Sequence, residues 1–83
     1  MRVVFSYRSF QKLQKLDKIV QARIIQKLKF YSTHKDPSRF AKRLTKRKLG
    51  QFSFRIGDYR LIFDLKQETI SVVDVGRRDE IYK

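Results

Sequence analysis

The chain has 83 residues, with 21 Lys plus Arg against 8 Asp plus Glu and a formal net charge of +13. A domain this short buries only about 60–65% of its unfolded surface, which allows one thin core and excludes a separate substrate domain. Such a charge repels itself and points to a polyanionic partner. The absence of cysteine excludes a disulfide framework and a thiolate nucleophile, and no apolar run approaches the ~20 residues of a spanning helix.

Arg2-Val3-Val4-Phe5 reads as a short strand rather than a leader segment, so a cytoplasmic chain is expected. Ser6 or Ser9 caps the helix that follows, whose apolar set Phe10, Leu13 and Leu16 runs to about Asp17. A second helix is predicted from about Lys18 to Ser32. Its inward set is either Ala22, Ile25 and Leu28, or Ile24, Leu28 and Tyr31. Lys12, Lys15, Lys18, Arg23, Lys27 and Lys29 fall largely away from those positions, so the two helices form an amphipathic hairpin. Thr33 to Pro37 ends the second helix, and Asp36 before Pro37 suits the cap of a short further turn through Phe40. His34, in that loop, reads as a surface residue. Phe10, Phe30, Phe40 and Phe52 read as core or core-edge side chains.

Residues 42–48 hold five basic side chains and no acid. Such a run is either a solvated face or a surface for RNA or an acidic segment. Next come two alternating runs around Gly57-Asp58, a two-residue loop with Gly first that suits a type II′ hairpin. That loop length pairs Ile56 with Tyr59, Arg55 with Arg60, Phe54 with Leu61 and Phe52 with Phe63. One face is then wholly apolar, and the other carries Ser53, Arg55, Arg60 and Ile62. A turn at Lys66-Gln67-Glu68 leads to a last strand, about Thr69 to Val75. Its two-sided apolar pattern favours an interior place in the sheet and leaves its register open. The fold class is α+β in a single domain, 1–83. Its order is β-α-α-β-β-β: a mostly antiparallel curved sheet with the helix hairpin packed on one face.

Like charges directly opposite in a sheet are destabilising, so Arg55 beside Arg60 asks for an anion. The alternative is a solvated face whose side chains splay, with Asp64 or Asp74 neutralising one of them. The tail Val75-Gly76-Arg77-Arg78-Asp79-Glu80-Ile81-Tyr82-Lys83 adds two arginines and a phenol. Guanidinium forks match phosphate oxygens in a bidentate way, and a phenol hydroxyl can carry the proton of a ribose 2′-OH. By itself, a tyrosine in an Ile-Tyr-Lys ending reads first as packing against the sheet edge. The eight acids are scattered without the spacing of an octahedral oxygen site, so no metal and no cofactor are expected.

The block from Gly50 to Leu65, with Arg55-Ile56-Gly57-Asp58-Tyr59-Arg60-Leu61-Ile62-Phe63 inside it, and the ending Val75 to Tyr82 resemble the RelE/ParE toxin superfamily. The likeness extends to length, element order and the approach Ala41-Lys42-Arg43-Leu44. It implies the toxin half of a toxin–antitoxin pair. The RelE branch cuts mRNA in the ribosomal A site, the activity expected here; the alternatives are the ParE branch, which poisons DNA gyrase, and a non-catalytic RNA- or ribosome-binding module. By resemblance, Arg55 matches a basic residue on the first hairpin strand and Arg60 the arginine of the Gly-Asp-Tyr-Arg motif. Arg78 matches the arginine ending Val-Gly-x-Arg, and Tyr82 the C-terminal catalytic tyrosine. Lys46, Arg47, Lys48, Arg77 and Ser53 complete the expected substrate-binding set. Ser53 stands where RelE-like enzymes often have a basic residue, and Arg77 where they often have histidine. The expected partners are an acidic antitoxin in a hetero-oligomer, the ribosome and mRNA, with no membrane.

Overall fold

The computed structural model describes residues 1–46 and 48–81. Strand β1 (Arg2–Phe5) leads through Ser6 into helix α1 (Tyr7–Gln14), and Ser6 caps it by accepting from Ser9 N at 3.1 Å. The helix stops short of the expected Asp17. Asp17 is extended and instead caps helix α2 (Lys18–Ser32), accepting from Ile19 N at 3.2 Å. Gln21 Nε2 donates back to Gln14 O at 3.1 Å and Leu16 O at 2.8 Å, satisfying carbonyls that the end of α1 leaves open. Asp36 caps a 3₁₀ turn, Pro37–Phe40, as its place before proline predicts.

Strands β2 (Lys42–Arg43), β3 (Phe52–Ile56), β4 (Tyr59–Lys66) and β5 (Thr69–Arg77) follow, and a short helix α3 (Arg78–Ile81) ends the described chain. The expected order therefore gains β2 and α3. The sheet order is β1-β5-β4-β3-β2, with β1 parallel to β5 and the other pairs antiparallel. The two-sided β5 is interior, as its pattern predicts. The hairpin keeps the expected register, including Arg55 opposite Arg60. Gly57 has φ +62° and Asp58 is not in the left-handed region, which is the type II′ pattern. A bulge at Ile62/Phe63 leaves Val73 of β5 as the extra residue.

The helices cover one face of the sheet. Ile24, Leu28 and Tyr31 are the buried residues of α2, so the second inward set is the observed one. With Leu13 they meet Phe54, Ile56, Leu61, Phe63, Ile70, Val72 and Val75. Tyr31 stacks on Phe54 at 4.0 Å between ring centroids, and Phe54 on Phe63 at 4.1 Å. Ser9 Oγ donates to Val72 O at 3.0 Å, fixing α1 to β5. Phe10 lies half exposed, edge-on to Phe5, on the flank of the core rather than within it.

On the opposite face Ser53 and Ile62 lie where alternation places them, with Arg55 and Arg60, but they are covered, 1% and 0% exposed. At Ile62 the reason is the segment between β2 and β3, which crosses this face. At Gly50, φ is +145°, and a Cβ there would lie 2.6 Å from Ile62 Cγ2. Only glycine lets the backbone approach that closely.

Candidate functional site

Arg60 points away from the helices because its neighbours Tyr59 and Leu61 are committed to the apolar face. Pairing of β4 with β5 ends at Tyr59 and Arg77. The next backbone N–H, that of Arg78, donates to Asp58 O at 3.1 Å, so α3 starts against the hairpin turn. Ile81 is 6% exposed and is the buried residue of α3. It packs over Gly76, its Cδ1 3.5 Å from where a Cβ would sit. The chain thus returns Arg78 to the side of the sheet that carries Arg60.

The basic run forms the opposing wall. Lys42 and Arg43 pair with Ser53 and Phe52 as β2, and the Arg43 guanidinium lies 5.3 Å from the Phe52 ring centroid. Leu44 N donates to Gln51 O at 2.9 Å, and Leu49 N to Lys46 O at 3.1 Å, so the loop doubles back. Its base is clamped to β4: Gln51 N donates to Asp64 Oδ1 at 2.8 Å, and Leu65 N to Gln51 Oε1 at 2.9 Å.

Between the loop, β4 and α3 lies an open cleft of about 1020 Å³. Lys42, Arg43, Lys46, Lys48, Arg60 and Arg78 line it, together with Leu44, Thr45, Leu49 and Ile81. No carboxylate is among the described residues lining it. Cations without intervening acids, above an apolar floor, make a receptor for an anion that also carries apolar surface.

Of the residues expected from sequence, Arg60, Arg78, Lys46 and Lys48 meet in this cleft. Arg55 is exposed opposite Arg60 but outside the lining. Residues paired across antiparallel strands share a face, so Arg77, opposite Tyr59, lies on the other side from Arg60, which pairs with Gly76. Its Nε is 3.7 Å from Asp79 Oδ1, an exposed pair. Ser53 is buried, paired with Lys42 and Ile62 in the sheet, and does not line the cleft. Arg47 and Tyr82 lie outside the described residues.

The two acids named as possible counter-charges have roles in the fold. Asp74 accepts from Lys12 Nζ at 2.5 Å and from Val75 N at 2.9 Å, and Asp64 holds Gln51. His34 sits at the end of α2, edge-on to Phe30 and Phe40 at 4.7 Å each, and does not line the cleft. Sequence reasoning did not single out Leu44, Leu49 and Ile81 as part of a site. The available signal was two leucines interrupting and closing a run of cations.

A family model described as "ParE toxin of type II toxin-antitoxin system, parDE" matches residues 3–82. Among solved structures, the toxin–antitoxin complex RelBE2 of Mycobacterium tuberculosis contains a similar chain. It has a TM-score of 0.76 and 29% identity, over 93% of this chain and 96% of that one. The RelB–RelE antitoxin–toxin complex of Methanococcus jannaschii contains a chain of the same fold. There the TM-score is 0.74 and the identity 17%, over 95% of this chain and 94% of that one. No curated protein sequence matches.

Proposed function

The chain belongs to the ParE toxin family of type II toxin–antitoxin systems, within the RelE/ParE superfamily, and we propose that within it this chain acts as a RelE-type endoribonuclease, cutting mRNA on the ribosome. The observation that carries this reading is the convergence of Arg60 and Arg78 in one cleft whose described lining contains cations and no acid. Cleavage by the RNA's own 2′-OH needs such a site together with a group that moves the proton. The 2′-oxygen attacks phosphorus and the bond to the 5′-oxygen breaks. The leaving 5′-oxygen takes up a proton, so the products are a 2′,3′-cyclic phosphate and a 5′-hydroxyl and the proton lost from the 2′-OH is balanced. Arg60 and Arg78 hold the phosphate and stabilise the charge that grows on its oxygens. Arg55 supplies further positive potential from the neighbouring strand. Tyr82 is the proposed carrier of the 2′-OH proton, and the reaction is metal-independent.

The proposed regulator is an acidic antitoxin that covers the cleft in a hetero-oligomer, in the cytoplasm. Support comes from the charge of +13 and from the antitoxin partners of both similar structures. Among the described residues no helix is long and apolar enough to cross a membrane.

The ParE description of the matching family favours a second reading, poisoning of DNA gyrase. One experiment separates the two: induced expression of the chain, followed by primer extension on cellular mRNA and a supercoiling assay with purified gyrase. Discrete mRNA cuts with unaffected supercoiling are expected. Inhibited supercoiling with intact mRNA would replace the nuclease reading with the gyrase one.

A further inference from the structure

The cleft is larger and less polar than a phosphate site requires. Its volume of about 1020 Å³ matches the upper end of whole small-molecule pockets, roughly 300–1,000 Å³, whereas two guanidiniums suffice to hold one phosphate. The cations Lys42, Lys46, Lys48 and Arg78 are exposed, while Leu44 and Leu49 are half-buried and Ile81 is buried; the Arg43 guanidinium lies over the Phe52 ring. The charges therefore form a rim around a short apolar floor. A purely solvated cationic face would have no such floor.

From this arrangement, and resting on the nuclease reading, we infer that Leu44, Leu49 and Ile81 form a nucleobase subsite. It takes the base of a nucleotide flanking the phosphate held by Arg60 and Arg78. Single-stranded RNA presents the complementary pattern: a charge at each linkage and a flat, weakly polar face at each base. Apolar side chains receive splayed bases without reading their edges. An acidic amphipathic peptide is also complementary in charge, but a docked helix needs apolar anchors over i, i+3, i+4 and i+7. Three side chains closed in by cations are too short a stripe for that. The inference assigns Leu44 and Leu49 to substrate binding, beyond their packing.

The test measures binding of a ten-nucleotide single-stranded RNA to the full chain by fluorescence anisotropy at low salt. Two further oligonucleotides carry an abasic residue in turn on either side of the position cleaved on ribosomes. If no cut is observed, the abasic residue is scanned along the whole oligonucleotide. For the wild-type chain, at least one abasic position is expected to weaken binding about five- to tenfold, the lower range for one stacked base. In Leu44→Ala/Leu49→Ala that difference should vanish, while Leu49→Met, a volume-conserving change, should keep it. Thermal unfolding monitors the fold of each variant, and the wild-type abasic comparison decides the question even where the double variant does not fold.

Equal binding of intact and abasic RNA by the wild-type chain overturns the subsite. So does competition by an acidic peptide without any abasic penalty, which would give the floor to a protein partner. Failure of the nuclease reading is a separate result: base-dependent binding without ribosomal cleavage keeps the subsite and removes the reaction. Cleavage indifferent to the base does the reverse.

Discussion

Arg60 and Arg55 face each other across a hairpin, yet only Arg60 lines the cleft. That placement predicts unequal effects. Arg60→Ala and Arg78→Ala should each lower single-turnover cleavage on ribosomes by about 10²–10³, the usual loss for a preorganised donor, with antitoxin binding retained. Arg55→Ala should cost less, since its charge acts from outside the lining. Fully toxic Arg60→Ala and Arg78→Ala proteins would remove the cleft from the mechanism. At Gly50 the prediction concerns stability. A Cβ would meet Ile62 Cγ2 at 2.6 Å on a backbone with φ +145°. Backbone strain of about 1–3 kcal/mol and overpacking of about 1–3 kcal/mol should make Gly50→Ala strongly destabilising in urea unfolding. An unchanged midpoint would mean that the loop does not sit on β4 as described.

The helix–sheet interface turns on Tyr31, which stacks on Phe54 and, on its other side, on Phe40 at 5.5 Å. Burial raises the pKa of its phenol above the ordinary 10.0, because the charged form is desolvated. The folded state therefore binds the proton more tightly than the unfolded state. The resulting contribution to stability is complete below pH 10 and is lost as pH rises through the folded pKa. Stability from urea melts should accordingly fall as pH rises above 10. Tyr31→Phe should flatten that fall while leaving neutral-pH stability nearly unchanged. The same fall persisting in Tyr31→Phe would assign the alkaline transition to other groups. Element boundaries follow equally local chemistry. Asp17, Asp36 and Ser6 each satisfy a backbone N–H at the start of a helical segment, and all three stand just before a helix or turn predicted from the residues themselves.

Across the molecule, a charge of +13 makes association with RNA an exchange of bound counterions for protein cations. For single strands log K falls with log salt by about 0.7 per phosphate neutralised. Lys46→Ala and Lys48→Ala should each reduce that slope by about 0.7, measured by anisotropy over a salt series. Lys12→Ala should change it less, because Lys12 is paired with Asp74 and is not among the described residues lining the cleft. Equal slopes for all three variants would mean that the loop does not hold the RNA backbone.

The hairpin register, the span of α2 and the interior place of β5 were legible in the sequence because local rules determine them. A two-residue loop allows one register, caps stop a helix within a residue or so, and side-chain alternation reports which strand is covered on both faces. That Arg55 and Arg60 face each other was legible for the same reason, whereas the seating of Arg78 against the hairpin turn is a tertiary contact. Tertiary structure decided what covers each face. Alternation assigns Ser53 and Ile62 to one side of a strand, but it carries no information about the segment around Gly50 that crosses there and covers Ile62. Nor does it place Arg77 with Tyr59, since that depends on where β5 pairs with β4. The two-residue β2, the parallel pairing of β1 with β5, and the floor made by Leu44, Leu49 and Ile81 all join residues distant in the chain. Their stabilisation comes from contacts that close only when the whole sheet is assembled.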